Sequence, residues 1–340
     1  MSMNERKKLL FIIGGLLLLV SILIGMLIFL FVRNPEDEQE DGPWSAQRLR
    51  AGLETAVEYD KQYDSYIASE EQARQVIREY GVLQREKYSN PEVEKIELFM
   101  EEEFDICAVN LGEMDVATAE DIKRAFTYMY NEYPQLQGTL TNISVGNFRG
   151  EAVTYTALTQ SRVFVIHETD DAYPFVVKHE IILNAAKFFD RAKFLRECEK
   201  QVADGYWPVN SDISSVIVHE LGHQLLGVTA MEQFGLVPSH YITEENAEAY
   251  SCYMTDSLAS NQTVAKSVEE TAYAIWKERY GHTGSREQFR ESISLYAKGL
   301  QPDGGVSYGE TFAEAVADVY LNGENAADAS RALIESLNKK

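Results

Sequence analysis

The sequence predicts an α+β protein in three parts: a single transmembrane helix, a helical stalk, and a domain with a small mixed sheet and one long helix that carries the chemistry. Three observations predict it. Residues 9–32 are an uncharged apolar run; apolar residues recur at helical spacing over 44–103; beyond Phe104, short β-branched and aromatic runs alternate with helical patterns. A chain of 340 residues allows one large domain or two modest ones. With 45% hydrophobic and 25% charged residues and only 8 prolines, it is neither disordered nor collagenous. A formal charge of −23 repels a phosphate backbone, so no nucleic-acid partner is expected.

The run at 9–32 holds 24 residues without a charge or a proline. As a helix it is about 36 Å long at 1.5 Å per residue, enough to span a bilayer. It ends Phe31-Val32-Arg33-Asn34-Pro35, without the small residues of a cleavage site, which predicts an uncleaved signal anchor. Arg6, Lys7 and Lys8 precede the span and Arg33 follows it. That bias predicts a single-pass protein of the cell membrane, with residues 1–8 a cytoplasmic tail and everything beyond residue 32 extracytoplasmic.

Residues 33–43 are acidic, with Pro35, Gly42 and Pro43, and read as a linker. Over 44–103, Leu49, Leu53 and Val57 keep helical spacing, Ser69-Glu70-Glu71-Gln72 has the form of a capping box, and Asn90-Pro91 reads as cap and first turn of a helix over 91–102. Residues 104–340 form the domain. The pattern there predicts a strand in 105–111, a helix over 118–133 stopped by Pro134, a hairpin of 152–157 with 162–167, a strand at 181–184 and a helix over 187–204. Cys107, Cys198 and Cys252 form no CxxC pair and read as idle or buried thiols.

The informative stretch is 211–227. Ser211 or Asp212 can cap a helix and Gly227 can end it, so His219 and His223 fall at i and i+4 on one face with Glu220 beside them. That is the HExxH arrangement for zinc, in which two neutral imidazoles leave the ion charge enough to activate water and the carboxylate can take that water's proton. In His179-Glu180, Leu183 stands where the second histidine would be, so that pair reads as ordinary surface.

A catalytic zinc takes three protein ligands. No third histidine follows at the HExxHxxGxxH spacing, so a carboxylate is expected. Glu244, Glu245 and Glu248 lie close after the helix; Glu310, Glu314 and Asp318, at i, i+4 and i+8, form a carboxylate row on one helix face beside Phe312, Ala315 and Val316.

The chain resembles the zinc metallopeptidase domains of phage minor head proteins and related mobile-element proteins, which are distantly similar to the catalytic domain of anthrax lethal factor. The matching residues are Ile182-Leu183-Asn184, Phe188-Phe189, His219-Glu220-Leu221-Gly222-His223, Ile293-Ser294-Leu295-Tyr296-Ala297, and Glu310-Thr311-Phe312-Ala313-Glu314-Ala315-Val316-Ala317-Asp318 with Asn322-Gly323. They cover about residues 105–337. The resemblance implies a zincin-like fold, His219, His223 and Glu310 as zinc ligands, Glu220 as general base, Tyr296 as the tyrosine that stabilises the oxyanion, and Glu314 as support for the ligands. The fourteen positions from Tyr296 to Glu310 exceed the family's usual spacing, which leaves Tyr308 as an alternative tyrosine.

Together these features predict a membrane-anchored zinc endopeptidase that cleaves a peptide or protein substrate outside the cytoplasm. An extended peptide would lie along the edge of the strand at 162–167. The alternative is a zinc-containing structural or binding module of a cell-surface or mobile-element assembly, which would have no chemical need of Glu220 and a tyrosine. A toxin-like effector is a third reading, opposed by the uncleaved anchor.

Overall fold

The structure, a computed structural model, describes residues 90–148, 155–165, 175–233, 235–236, 241–242, 257–299 and 306–337. The fold is α+β, helix-rich with one small mixed sheet. The expected membrane-spanning helix is corrected. Among the described residues no helix is long and apolar enough to cross a membrane. Residues 9–32, where that helix was expected, lie outside the described residues, as do the linker and the stalk up to residue 89.

Helix α1 (Pro91–Phe104) starts as its sequence predicts, with the Asn90 side chain accepting from the Glu92 amide and Pro91 in the first turn. Although the sequence placed it in the stalk, it buries Val93, Ile96, Met100 and Phe104 in the domain core. Strand β1 (Ala108–Val109) is shorter than expected. Its outer N–H groups are taken by α1: Glu101 accepts from Val109 N at 2.7 Å and Glu97 from Leu111 N at 2.6 Å. These carboxylates cover the sheet edge, where no further strand is needed. Helix α2 (Val116–Glu132) is capped by Asp115 and ends just before Pro134.

The other strands are β2 (Asn142–Gly146), β3 (Ala157–Val165), β4 (Phe175–Asn184) and β5 (Tyr241–Ile242). The order is β1-β2-β4-β3, with β1, β2 and β4 parallel, β3 antiparallel to β4, and β5 also paired with β4. The expected hairpin of 152–157 with 162–167 is not what forms. Residues 158–161, between the two expected arms, run within β3, which pairs with β4 from Ala157↔Leu183 to Val165↔Phe175. An outer strand tolerates polar residues that a central one would not. The strand expected at 181–184 is the end of the longer β4, and the helix expected over 187–204 is split by the Asp190 cap into α3 (Ala185–Phe188) and α4 (Arg191–Ala203).

Helix α5 (Ile213–Gln233) crosses the core. Asp212 caps it, its Oδ1 accepting from Ser215 N at 2.9 Å. Gly227 does not end it, since Val228, Ala230 and Met231 continue the buried pattern and outweigh the roughly 1 kcal/mol a mid-helix glycine costs. The helix stops instead at Gly235, whose φ of 68° and the bonds Leu236 N to Met231 O and Gly235 N to Glu232 O form a Schellman ending. The remaining elements are α6 (Ser257–Glu278), α7 (Arg286–Glu291), a 3-10 turn (Tyr296–Lys298), α8 (Tyr308–Asn322) and α9 (Asp328–Leu337). Helices α5 and α8 touch closely: a Cβ on Gly222 would sit 3.0 Å from the Ala313 Cα. Only a glycine lets the two backbones approach this far, and that approach sets the site.

Candidate metal centre

On α5, His219 and His223 project from successive turns of one face, their Nε2 atoms 3.1 Å apart. Glu310, in the first turn of α8, reaches across from the neighbouring helix: its Oε2 lies 3.2 Å from His219 Nε2 and 3.6 Å from His223 Nε2. The start of α8 is held from α6. Ser307 makes no side-chain cap, and Gln262 replaces it, accepting from Tyr308 N at 2.9 Å and donating to Ser307 Oγ at 3.3 Å. Among the described residues, His219, His223 and Glu310 are the one group of this kind that could hold a metal ion.

The donor set fits zinc. Four ligands at about 2.0–2.1 Å in a tetrahedron are separated by about 3.3–3.4 Å along each edge. The three observed separations bracket that value. Glu310 Oε2 is buried and makes no well-aligned hydrogen bond, as expected where lone pairs of oxygen and nitrogen converge on a common point instead of pairing with each other. The orientation agrees as well: His219 Nδ1 lies 2.9 Å from Glu314 Oε1, so in the neutral imidazole Nδ1 holds the proton and Nε2, which faces the centre, is the lone-pair nitrogen.

Glu314 is itself fixed. Ser294 Oγ donates to its Oε2 at 2.7 Å and accepts from Ala297 N at 2.9 Å, while Thr311 Oγ1 donates to Ala297 O at 2.6 Å. The turn that carries Tyr296 is thus bonded to the helix that carries Glu310. Asp318, third in the carboxylate row, plays another part: it accepts from Ala327 N, Ser330 Oγ and Asn322 Nδ2, and so ties α8 to α9.

Glu220 is nearly buried beside the two histidines, and Thr159 of β3 donates to its Oε2 at 2.6 Å. Tyr296 lies against His219, ring centroids 5.7 Å apart and planes at 27°. Burial, and then the charges of Glu310, Glu314 and Glu220, push its phenol well above the ordinary range, so it keeps its proton. Tyr308 packs under the Arg290 guanidinium and does not line the cavity that holds the cluster. For His219, burial disfavours the charged imidazole, but contacts with Glu310 and Glu314 outweigh it and raise the pKa. Burial likewise opposes ionisation of Glu310, and the two histidines, His223 first, more than reverse it.

The cavity, about 750 Å³, runs between β3, α5, the segment after α4 and the start of α8. His179 and Glu180 are not surface residues: both are buried on β4, and His179 lines the cavity. An amphipathic sequence pattern could not reveal this, because β4 is covered on both faces. Glu244, Glu245 and Glu248 lie outside the described residues. Sequence reasoning missed Thr159, Tyr206 and Gln262, which reach the site from distant segments without any motif; Ser294 could have been found from its place beside Tyr296.

Comparison of the chain with protein-family models, with curated proteins and with solved structures finds no match. The geometry of the site therefore carries the functional argument.

Proposed function

We propose that the chain is a zinc-dependent endopeptidase, with His219, His223 and Glu310 as the ligands of the ion and Glu220 as general base. The observation that carries this reading is the triangle of donor atoms, with edges of 3.1, 3.2 and 3.6 Å, matched to a tetrahedral zinc and accompanied by a buried carboxylate one residue from a ligand. The resemblance to zinc metallopeptidase domains points the same way.

A zinc ion in this place supplies a Lewis acid and brings the pKa of water towards neutrality. The protein's residues do the rest. Thr159 holds one oxygen of Glu220, which leaves the other to take a proton from the attacking water and pass it to the leaving amine. Tyr296, kept protonated by its surroundings, donates to the oxyanion that develops on the substrate carbonyl. Glu314 keeps His219 in the tautomer a metal ligand needs. Strand β3 pairs with β4 on one side, and among the described residues its other edge has no strand partner; an extended peptide added there would pass Glu220.

The test is Glu220→Gln, nearly isosteric and unable to accept the proton. The purified chain loaded with zinc should cleave members of a mixed peptide library, and the variant should retain one zinc while losing hydrolysis. Cleavage by the variant at the wild-type rate would remove Glu220 from the mechanism.

A further inference from the structure

We propose, resting on the peptidase reading above, that Tyr206 is a specificity-determining residue: its ring is a platform for an aromatic or large aliphatic side chain of the bound peptide, next to the scissile bond. Large apolar side chains left half-exposed in a folded chain mark binding surfaces when they gather at a cleft. Tyr206 is 42% exposed. Tyr206 lines the cavity that contains the metal cluster, and its ring centroid is 5.2 Å from that of Tyr296, which in turn lies against His219. The three rings form a series from the ligand outward, and Tyr206 is the one at the mouth. Tyr155, 52% exposed, lines the same cavity from the approach to β3.

The backbone that carries this ring is held firmly although the ring is open to solvent. Tyr206 N donates to Gln201 O at 2.8 Å, and Tyr206 O accepts from Tyr296 N at 3.1 Å. Gly205, at a φ of 70° that favours glycine, accepts from Leu295 N at 2.9 Å. The turn after α4 is therefore stitched to the segment that carries Tyr296, so the backbone under the ring is fixed before a side chain lands on it. Among the described residues the Tyr206 hydroxyl makes no hydrogen bond, so a ring contact fits its setting better than a positioning role through the hydroxyl. A stacked aromatic partner, or the burial of several methylenes, discriminates by about tenfold or more against alanine.

The experiment uses the full chain loaded with zinc and two sets of variants. Peptides from the library that differ only in Phe, Leu or Ala beside the cleaved bond are compared by kcat/KM in wild type, Tyr206→Phe and Tyr206→Ala. The same peptides are measured for binding to the Glu220→Gln chain with and without Tyr206→Ala. The wild type should favour Phe and Leu over Ala by about tenfold, Tyr206→Phe should keep that ratio, and Tyr206→Ala should bring it close to one. Equal loss in Tyr206→Phe and Tyr206→Ala would assign the effect to the hydroxyl and overturn the platform, and so would an unchanged ratio in Tyr206→Ala. If no peptide is cleaved but the Glu220→Gln chain still prefers the Phe peptide through Tyr206, the hydrolytic reading fails and the platform stands. Absence of any preference in binding overturns it.

Discussion

Glu314 Oε1 lies 2.9 Å from His219 Nδ1, across two helices that meet at Gly222 and Ala313. One carboxylate on α8 therefore orients the imidazole of α5, while Glu310, one turn earlier on α8, adds the third donor. Helix spacing explains this division. Residues four apart share a face, so a helix that brings Glu310 to the cluster must bring Glu314 to the ring behind it.

On the proposed zinc reading, Glu310→Ala removes a ligand, and Glu314→Ala removes only the partner that orients His219. The loss of such a partner typically costs about 10–100-fold in metal affinity. Titration against a zinc chelator should show Glu314→Ala weakened within that range and Glu310→Ala weakened further, with no zinc held at nanomolar free metal. The reverse ranking would exchange the roles of the two residues.

Gly222 faces Ala313 with no room for a side chain. Gly222→Val should push α5 and α8 apart, destabilise the chain by about 1–3 kcal/mol as overpacking does, and weaken zinc binding because Glu310 moves with α8. Urea unfolding and the same chelator titration measure the two effects. A variant with unchanged stability and affinity would mean that the helices do not approach as described.

His179 supplies a pH dependence separate from the metal. Burial lowers its pKa from the ordinary 6.5 to about 4. Below pH 6.5 the unfolded chain binds a proton that the folded chain refuses, so stability falls as pH drops from about 6.5 to about 4 and then levels off. The full contribution is about 3 kcal/mol. In zinc-free protein, His179→Gln should lose less stability than wild type between pH 7 and pH 4; equal losses would show that the folded chain protonates His179 as readily as the unfolded chain does.

What was legible in the sequence followed from local rules. Asn90-Pro91 and Asp212 announce helix starts because each cap satisfies amides within its own first turn. HExxH and the row at 310, 314 and 318 are readable because one helix presents residues four apart together. The meeting of Glu310 with the histidines is a tertiary fact, about ninety residues long in sequence, and it depends on a glycine that carries no chemical signal.

The misreadings have equally physical causes. Residues 158–161 fall between the two arms of the expected hairpin, yet they run on within β3, and Thr159 is bonded to Glu220 there. His179-Glu180 looks like surface because charge alone suggests water, but β4 is enclosed and Asn142 Nδ2 donates to Glu180 Oε2 at 3.2 Å. Gly227 resembles a helix stop, and the apolar residues after it outweigh its conformational cost. Gln262, which caps α8 from α6, belongs to no local pattern.

The central claim is that one zinc ion is held by His219, His223 and Glu310. Crystals of the chain grown with zinc, measured on both sides of the zinc absorption edge, test it most directly. The expected result is one anomalous peak per chain, within about 2.0–2.2 Å of His219 Nε2, His223 Nε2 and a Glu310 carboxylate oxygen. A crystal with no peak there, or with its peak held by other residues, would contradict the account.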